Sequence, residues 1–356
     1  MKLEHLRVTN VRKIKSATLD LHPELNVIVG PNGSGKTSAL EALYLLSGGR
    51  SFRTSRAKEV ISHGEHGLTV FGQTTSGPHQ MSLGIEKTTK STRFRLNGEN
   101  VASASTIVRQ LPMLVLNSDS FRLLEGGPSN RRDLLDRVLF HVEQDYLDKI
   151  RGYYQVLKQR NASIRKELSD KDVAVWNQPL IEAAEKIDTL RRNQLTALNK
   201  NLMDTGIREI VGDLELAYET GWPNEKTLEA ALASVNKRDR LLKTTTVGPH
   251  RAEVKVLLDG RAAKSSLSRG QIKLTIAALI SAITQIVFDA TDTPPILLVD
   301  DLGSELDKSA KSTAIQLLTG EKVQAFFTAI EYNTLPEISD YPGLTFHVEQ
   351  GQIVSS

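Results

Sequence analysis

Eight residues constrain this chain more than anything else in it: Gly30-Pro31-Asn32-Gly33-Ser34-Gly35-Lys36-Thr37. They match the phosphate-binding loop pattern G-x-x-x-x-G-K-[ST] in full. The apolar run Val27-Ile28-Val29 precedes them. Lys36–Leu46, with Leu40, Leu43, Leu45 and Leu46, follows at helical spacing. Glycines let backbone N–H groups close around phosphates, and the helix turns its positive N-terminal end toward them. Lys36 is expected to reach the β- and γ-phosphates and Thr37 to offer its hydroxyl to Mg²⁺, so the implied ligands are ATP and Mg²⁺. A plain glycine turn would not need the strand before it and the helix after it.

A second motif completes that chemistry. Ile296-Leu297-Leu298-Val299-Asp300-Asp301 is an apolar strand ending in two carboxylates. A strand buried in a parallel sheet delivers its last residues to the ligand edge. Asp300 is the expected Mg²⁺ partner, through water, and Asp301 the general base that polarises attacking water. Alone the pattern is common; beside a complete phosphate loop it is specific.

Leu267-Ser268-Arg269-Gly270-Gln271 precedes a long helical run and resembles the ABC signature L-S-G-G-Q, with Arg269 in place of a glycine. Ser268, Gly270 and the amides around them could bind a γ-phosphate held by a second subunit. Ser304-Glu305-Leu306-Asp307 resembles the D-loop that lines the same interface, which adds Asp307 to the candidate nucleotide contacts. Each tetrapeptide alone would be ordinary helix capping; their order after a phosphate loop favours an ABC-type ATPase. Two ABC features are not legible. Thr328-Ala329-Ile330 stands where a transporter carries a switch histidine, and neither Gln110 nor Asn117 is a convincing Q-loop residue.

The rest of the chain supplies organisation. Leu3, Leu6, Val8, then Ala17, Leu19 and Leu21 alternate like strands, as do residues 67–96, and Asn97-Gly98 is a hairpin turn signal. From Gly126-Gly127-Pro128-Ser129 onward the period becomes helical: Leu135, Val138, Val142, Tyr146, Ile150, Tyr153, Leu157, and later Ile181, Ala184, Ile187, Leu195, Leu198 and Leu202. Asp170–Asn177 reads as the turn between the two helices. The expected fold is α/β, an ABC-type ATPase head over residues 1–125 and 241–356, split by a helical, coiled-coil-like arm over 126–240. At 356 residues such a chain has ample core. It contains no cysteine, which fits a reducing cytoplasm and excludes disulfide and thiolate-metal frameworks. No N-terminal apolar leader is visible. The longest apolar stretch, Leu274–Ala282, is interrupted by Thr275 and Ser281, so no membrane span is expected.

End to end, the sequence resembles the RecF family of bacterial recombinational-repair and replication-gap proteins. The resemblance rests on Leu6-Arg7-Val8-Thr9-Asn10-Val11-Arg12, the loop Gly30–Thr37, Ser51-Phe52-Arg53-Thr54 and Leu124-Glu125-Gly126-Gly127-Pro128-Ser129-Asn130-Arg131-Arg132. It continues through Gly248-Pro249-His250-Arg251, Leu267–Gln271, Asp300-Asp301 and Phe346-His347-Val348-Glu349. Arg269 is in keeping with that family, and Ala252-Glu253 departs from it where two acids are usual. The resemblance implies an ATP-sandwiched homodimer that clamps DNA at single-strand/double-strand junctions. It implies work with RecR and RecO to load RecA, and a weak DNA-stimulated ATPase as the release switch in DNA repair, replication and the SOS response.

A DNA surface of its own is less sharply written. Net charge is only +3. Lys149, Arg151, Lys158, Arg160, Arg165 and Lys166 form an acid-free run in which Arg151, Lys158 and Arg165 recur every seven residues, on one helix face. Such a face could contact phosphates of single- or double-stranded DNA without reading bases. It could equally be a solvated helix surface, since residues 126–240 carry 19 basic and 19 acidic side chains. The rival reading of the whole chain is an ABC-fold interaction scaffold in which ATP only holds the dimer. A transporter energy module fits poorly, given the long insertion between phosphate loop and signature.

Overall fold

The computed structural model describes residues 1–76, 78–204, 207–303, 306–320, 322–335 and 338–355, which form two compact units. The first unit takes Met1–Phe121 and Ser268–Ser356, the second Arg122–Leu267.

In the first unit the N-terminal alternation becomes β1 (Lys2–Val11) and β2 (Ile14–Asp20), followed by the uniformly buried β3 (Leu25–Val29). Leu6, Val8, Ala17 and Leu19 are buried while Arg7 and Thr18 between them are exposed, so one face of this ribbon meets the core and the other meets water. Four further strands, β4 (Gly67–Ser76), β5 (His79–Thr88), β6 (Thr92–Leu96) and β7 (Glu99–Val101), extend it into an antiparallel sheet of order β2-β1-β4-β5-β6-β7. Asn97 and Gly98 both take left-handed φ, +50° and +84°, as the tight turn between β6 and β7 requires.

A second sheet carries the chemistry. β8 (Met113–Leu116) is followed, after the second unit, by β12 (Ile296–Val299), β13 (Gln324–Ala329), β14 (Gly343–Glu349) and β15 (Gln352–Ser355); the second unit supplies β9 to β11. The order is β15-β14-β3-β13-β12-β8, parallel except for the β14/β15 hairpin. Residues of β3, β12 and β13 are buried throughout, which is why these strands are mostly apolar and do not alternate. Gln324, itself buried, joins the two sheets: its Nε2 donates to the Leu3 carbonyl (2.7 Å) and its Oε1 accepts the Leu3 N–H (2.8 Å).

The second unit is helical with a sheet of its own. The helical rhythm from Leu135 to Leu157 is broken at Glu143–Asp145, giving helices Pro128–Val142 and Tyr146–Arg165. The second of these packs on Asn177–Asp204. The stretch between them, expected as a turn, holds the short helix Asp170–Ala174, capped by Ser169. Beyond the helices, β9 (Leu214–Glu219), β10 (Glu253–Leu258) and β11 (Arg261–Ala262) pair antiparallel. That pairing moves the boundary expected at 240/241 to 267/268, because β9 recruits β10 and everything between them. The other boundary falls at 121/122 rather than 125/126.

Candidate functional site

The phosphate loop and the carboxylate pair meet because their strands do. β13 lies between β3 and β12, and the register Val299↔Phe327 and Ala329↔Val29 brings both C-terminal ends to one edge of the sheet. This is where an open parallel sheet leaves a crevice for ligands.

Within the loop, the glycines are required. Gly33 has φ +76°, and a Cβ on Gly30 would lie 2.3 Å from the Val348 carbonyl oxygen. The Lys36 ammonium sits inside the loop and donates to the carbonyls of Gly30 (2.7 Å) and Pro31 (3.1 Å). Burial pushes its pKa down, and the negative charge of Asp300 and Asp301 pulls it back up. Lys13 reaches in from the β1–β2 turn to the Gly33 carbonyl (2.6 Å), and the Ser34 carbonyl accepts the Gly351 N–H (2.8 Å). The Ser34 hydroxyl is buried with no hydrogen-bond partner among the described residues. A buried, unsatisfied hydroxyl in a glycine-rich loop fits a phosphate group better than it fits a finished turn.

Next to the loop, Thr37 Oγ1 donates to both carboxylate oxygens of Asp300 (3.1 and 3.0 Å). A hydroxyl and a carboxylate are hard oxygen donors, a set that suits Mg²⁺, which Thr37 and Asp300 would hold. Thr328, at the end of β13, donates to Asp300 Oδ1 (2.7 Å) and accepts the Asp301 N–H (2.9 Å). Asp301 itself takes a left-handed φ of +54° and is exposed. Its carbonyl accepts a hydrogen bond from the buried Lys273 ammonium (3.2 Å).

Ser268 and Gly270 open the helix Arg269–Thr291. Ser268 Oγ accepts the Gln271 N–H while the Gln271 side chain accepts the Ser268 N–H, a reciprocal capping box. By length and composition this helix could cross a membrane, yet 13 of its residues are buried inside the protein, Lys273, Thr275 and Thr284 among them. Asp307 caps the helix Lys308–Leu318 through the Ala310 N–H (2.8 Å). Ser304 and Glu305, the first half of the expected D-loop, lie outside the described residues.

Three contributors escaped the sequence reading. Thr328 is a buried hydroxyl near the end of the buried strand β13, and Lys273 the one buried charge of the helix Arg269–Thr291; in both, polarity where burial disfavours it is the available signal. The third, Glu41, is fully buried on the helix after the phosphate loop and holds Arg12 (2.7 and 2.8 Å) and the Ser51 hydroxyl. Arg12 and Ser51 belong to two of the segments that carry the family resemblance, so both serve to seat that helix.

The basic run of the second unit divides. Arg151, Lys158 and Arg165 are exposed on one face of Tyr146–Arg165, as their spacing predicts. Lys149 is half-buried and pairs with Asp145. Arg160 is a correction: at 1% exposure it is an interior residue, bonded to Asp239 (2.7 Å), Thr245 (2.7 Å) and Asn177 (3.0 Å). Its place one helical turn from Leu157 and Ile164 puts it on the core face, so it contacts no DNA. The segment Thr245–Arg251 is held the same way. Arg191, buried, donates to the Pro249 carbonyl (2.7 Å), and His250 lies between the Tyr153 hydroxyl (2.6 Å) and the Thr245 carbonyl (3.0 Å). Arg131 forks onto Glu253 (2.9 and 2.8 Å) and Arg132 reaches the Ala252 carbonyl (2.6 Å), which explains how Ala252-Glu253 is accommodated with one acid.

Comparison with known proteins agrees with this geometry. The sequence profile of the RecF/RecN/SMC N terminal domain family matches residues 2–353. The DNA replication and repair protein RecF of Azotobacter vinelandii is 39% identical over 363 residues, covering 100% of this chain and 99% of that protein. The protein of the same description from Pseudomonas syringae pv. tomato is 39% identical over 364 residues, with the same coverage. Among solved structures, the recombination mediator protein RecF with ATP, of the RecFOR pathway, superposes with a TM-score of 0.87 at 27% identity, covering 100% of this chain and 97% of that one. An SMC head bound to the C-winged helix domain of ScpA, at 16% identity and a TM-score of 0.61 over 100% of this chain and 98% of that one, shares the fold alone.

Proposed function

Since the chain belongs to the RecF family of DNA replication and repair proteins, we propose that it is an ATP-switched DNA clamp of recombinational repair. Two copies close with ATP held between Gly30–Thr37 of one and Ser268–Gly270 of the other. The closed dimer holds DNA at a junction of single and double strand and, with RecR and RecO, helps RecA to load. Slow hydrolysis then opens it.

The observation that carries this reading is the triad at the sheet edge: Lys36 inside the loop, Thr37 on Asp300, and Asp300 and Asp301 both fixed by Thr328. Bound Mg²⁺ would neutralise phosphate charge between Thr37 and Asp300. Lys36 would turn from its loop carbonyls to the terminal phosphates, and Asp301 would orient water. Ser268 and Gln271 cap each other at the start of their helix, and the amides of that first turn suit a phosphate from the second copy. The exposed face of Arg151, Lys158 and Arg165 would meet DNA phosphates.

Asp301→Asn tests the switch. The variant is expected to bind ATP, to persist as a dimer by light scattering in ATP, and to turn over at least about tenfold more slowly, below the usual range for loss of a general base. Turnover at the parental rate would remove Asp301 from that role. A parental protein that dimerises in ATP and never hydrolyses it would favour the scaffold reading instead.

A further inference from the structure

The antiparallel sheet of the first unit turns one face to its core and the other to water. Its water-facing side carries an exposed aromatic ring, Phe71, at 40% exposure. Cross-strand register fixes its neighbours. Arg7 on β1 is paired with Phe71 on β4, Phe71 with Gly84 on β5, and Gly84 with Arg95 on β6. Paired residues point to the same face of a sheet. Arg7 and Arg95 are accordingly exposed, while the residues on either side of them along their strands are more covered. One row across the sheet therefore reads arginine, phenylalanine, glycine, arginine.

The glycine matters most. Phe71 and Arg95 stand two strands apart, about 9–10 Å, and the strand between them contributes no side chain. A Cβ placed on Gly84 would meet Arg95 Cβ at an ordinary contact distance of 3.6 Å, so no close packing demands glycine there. A flat ring stacked between two planar groups needs about 7 Å, twice the spacing of stacked bases. That spacing leaves the width for one nucleobase between the two side chains.

Charge points the same way. Neither Arg7 nor Arg95 has a carboxylate partner among the described residues. Of the acids on this face, Glu86 pairs with Arg93 (3.7 Å) and Asp20 is hydrogen-bonded to His5 (2.5 Å). The face thus joins a stacking ring to uncompensated positive charge, the combination that binds unpaired bases on their backbone.

We propose that this sheet face is a second nucleic-acid site, taking single-stranded DNA by stacking an unpaired base on Phe71 against Arg95, with Arg7 on the backbone. It rests on the reading above only for the choice of DNA as the polymer. It needs neither ATP nor dimer closure.

The test is fluorescence anisotropy of a labelled 15-nucleotide oligothymidylate with the full chain, without nucleotide, at one fixed salt concentration. Phe71→Ala and Arg95→Ala are each expected to bind about tenfold more weakly, which corresponds to about 1.4 kcal/mol and to the low end for one base stacked on one aromatic ring. Phe71→Trp, which keeps a flat ring, is expected to bind at least as tightly as the parent. Repeating the series in a Lys36→Met background separates this site from the clamp. If the weakening by Phe71→Ala persists there, the site stands whether or not ATP closes a clamp. If Phe71→Ala binds the oligonucleotide within twofold of the parent in both backgrounds, the proposal is overturned and the ring is ordinary sheet surface.

Discussion

Replacing Thr328 by valine removes one hydroxyl and little else, because the two side chains have nearly the same shape and position 328 is buried. Two hydrogen bonds go with it. One is charge-assisted, to Asp300 Oδ1, and such bonds contribute about 1.5–3 kcal/mol. The other leaves the Asp301 N–H without its acceptor, at about 1–3 kcal/mol if water does not reach it. The first has the functional consequence. When Mg²⁺–ATP binds, Thr37 is expected to leave Asp300 for the cation, and Thr328 is then the side chain that still orients the carboxylate. Losing even the lower figure of about 1.5 kcal/mol from that orientation corresponds to about tenfold. Titration of a fluorescent ATP analogue should therefore show a Mg²⁺-dependent affinity at least about tenfold weaker in Thr328→Val, with Mg²⁺-free affinity nearly unchanged. Thr328→Ser keeps the hydroxyl and loses one methyl, about 0.8 kcal/mol of burial, so it should bind like the parent while melting slightly earlier. Parental Mg²⁺-dependent binding by Thr328→Val would refute the reasoning.

Arg160→Met should lower stability by about 3–5 kcal/mol, because it leaves the fully buried Asp239 carboxylate without its ion partner. Adding Asp239→Leu should restore much of that; urea unfolding of the two variants checks both, and weakened DNA binding at unchanged stability would contradict the buried assignment. Burial pushes the His250 pKa down to about 4, and the geometry agrees: a neutral ring donates from Nε2 to the Thr245 carbonyl and accepts at Nδ1 from Tyr153. Between about pH 6.5 and 4 the unfolded chain then binds a proton that the folded one refuses, so stability is full above that window and falls through it, by about 3 kcal/mol at completion. Urea midpoints at pH 7.5 and 5 should show this share of the loss in the parent and not in His250→Gln. Replacing Arg151, Lys158 and Arg165 together by alanine should reduce the slope of log affinity against log salt for duplex DNA by up to about 2.7, at about 0.9 for each phosphate no longer neutralised; an unchanged slope would return that face to the solvent.

Much of the candidate nucleotide site is legible because the chemistry proposed for it demands particular residues in a particular order. Glycines 30, 33 and 35, Lys36 and Thr37 lie on a strand–loop–helix, and the strand before Asp300 is as buried as its apolar run implies. What was not legible depends on long-range packing. Arg160 continues the stripe of Tyr153 and Leu157 at helical spacing, away from the face of Arg151 and Lys158, but its interior partners Asp239 and Thr245 come from distant sequence and are visible only in the fold. The second unit's boundary was missed for a related reason. A boundary drawn where helical periodicity ends cannot see that Leu214–Glu219 pairs with Glu253–Leu258 across more than thirty intervening residues. Thr328 stands in the sequence only where a switch histidine is absent; its hydrogen bonds depend on β13 lying between β3 and β12, beside the strand that ends in Asp300.

The central claim is that nucleotide closes this protein on DNA. The most direct measurement is binding of the purified chain to a gapped duplex with and without ATP and Mg²⁺, alongside Lys36→Met. Tighter binding is expected in ATP and Mg²⁺, with that gain lost in Lys36→Met. Binding indifferent to both nucleotide and Lys36 would contradict it.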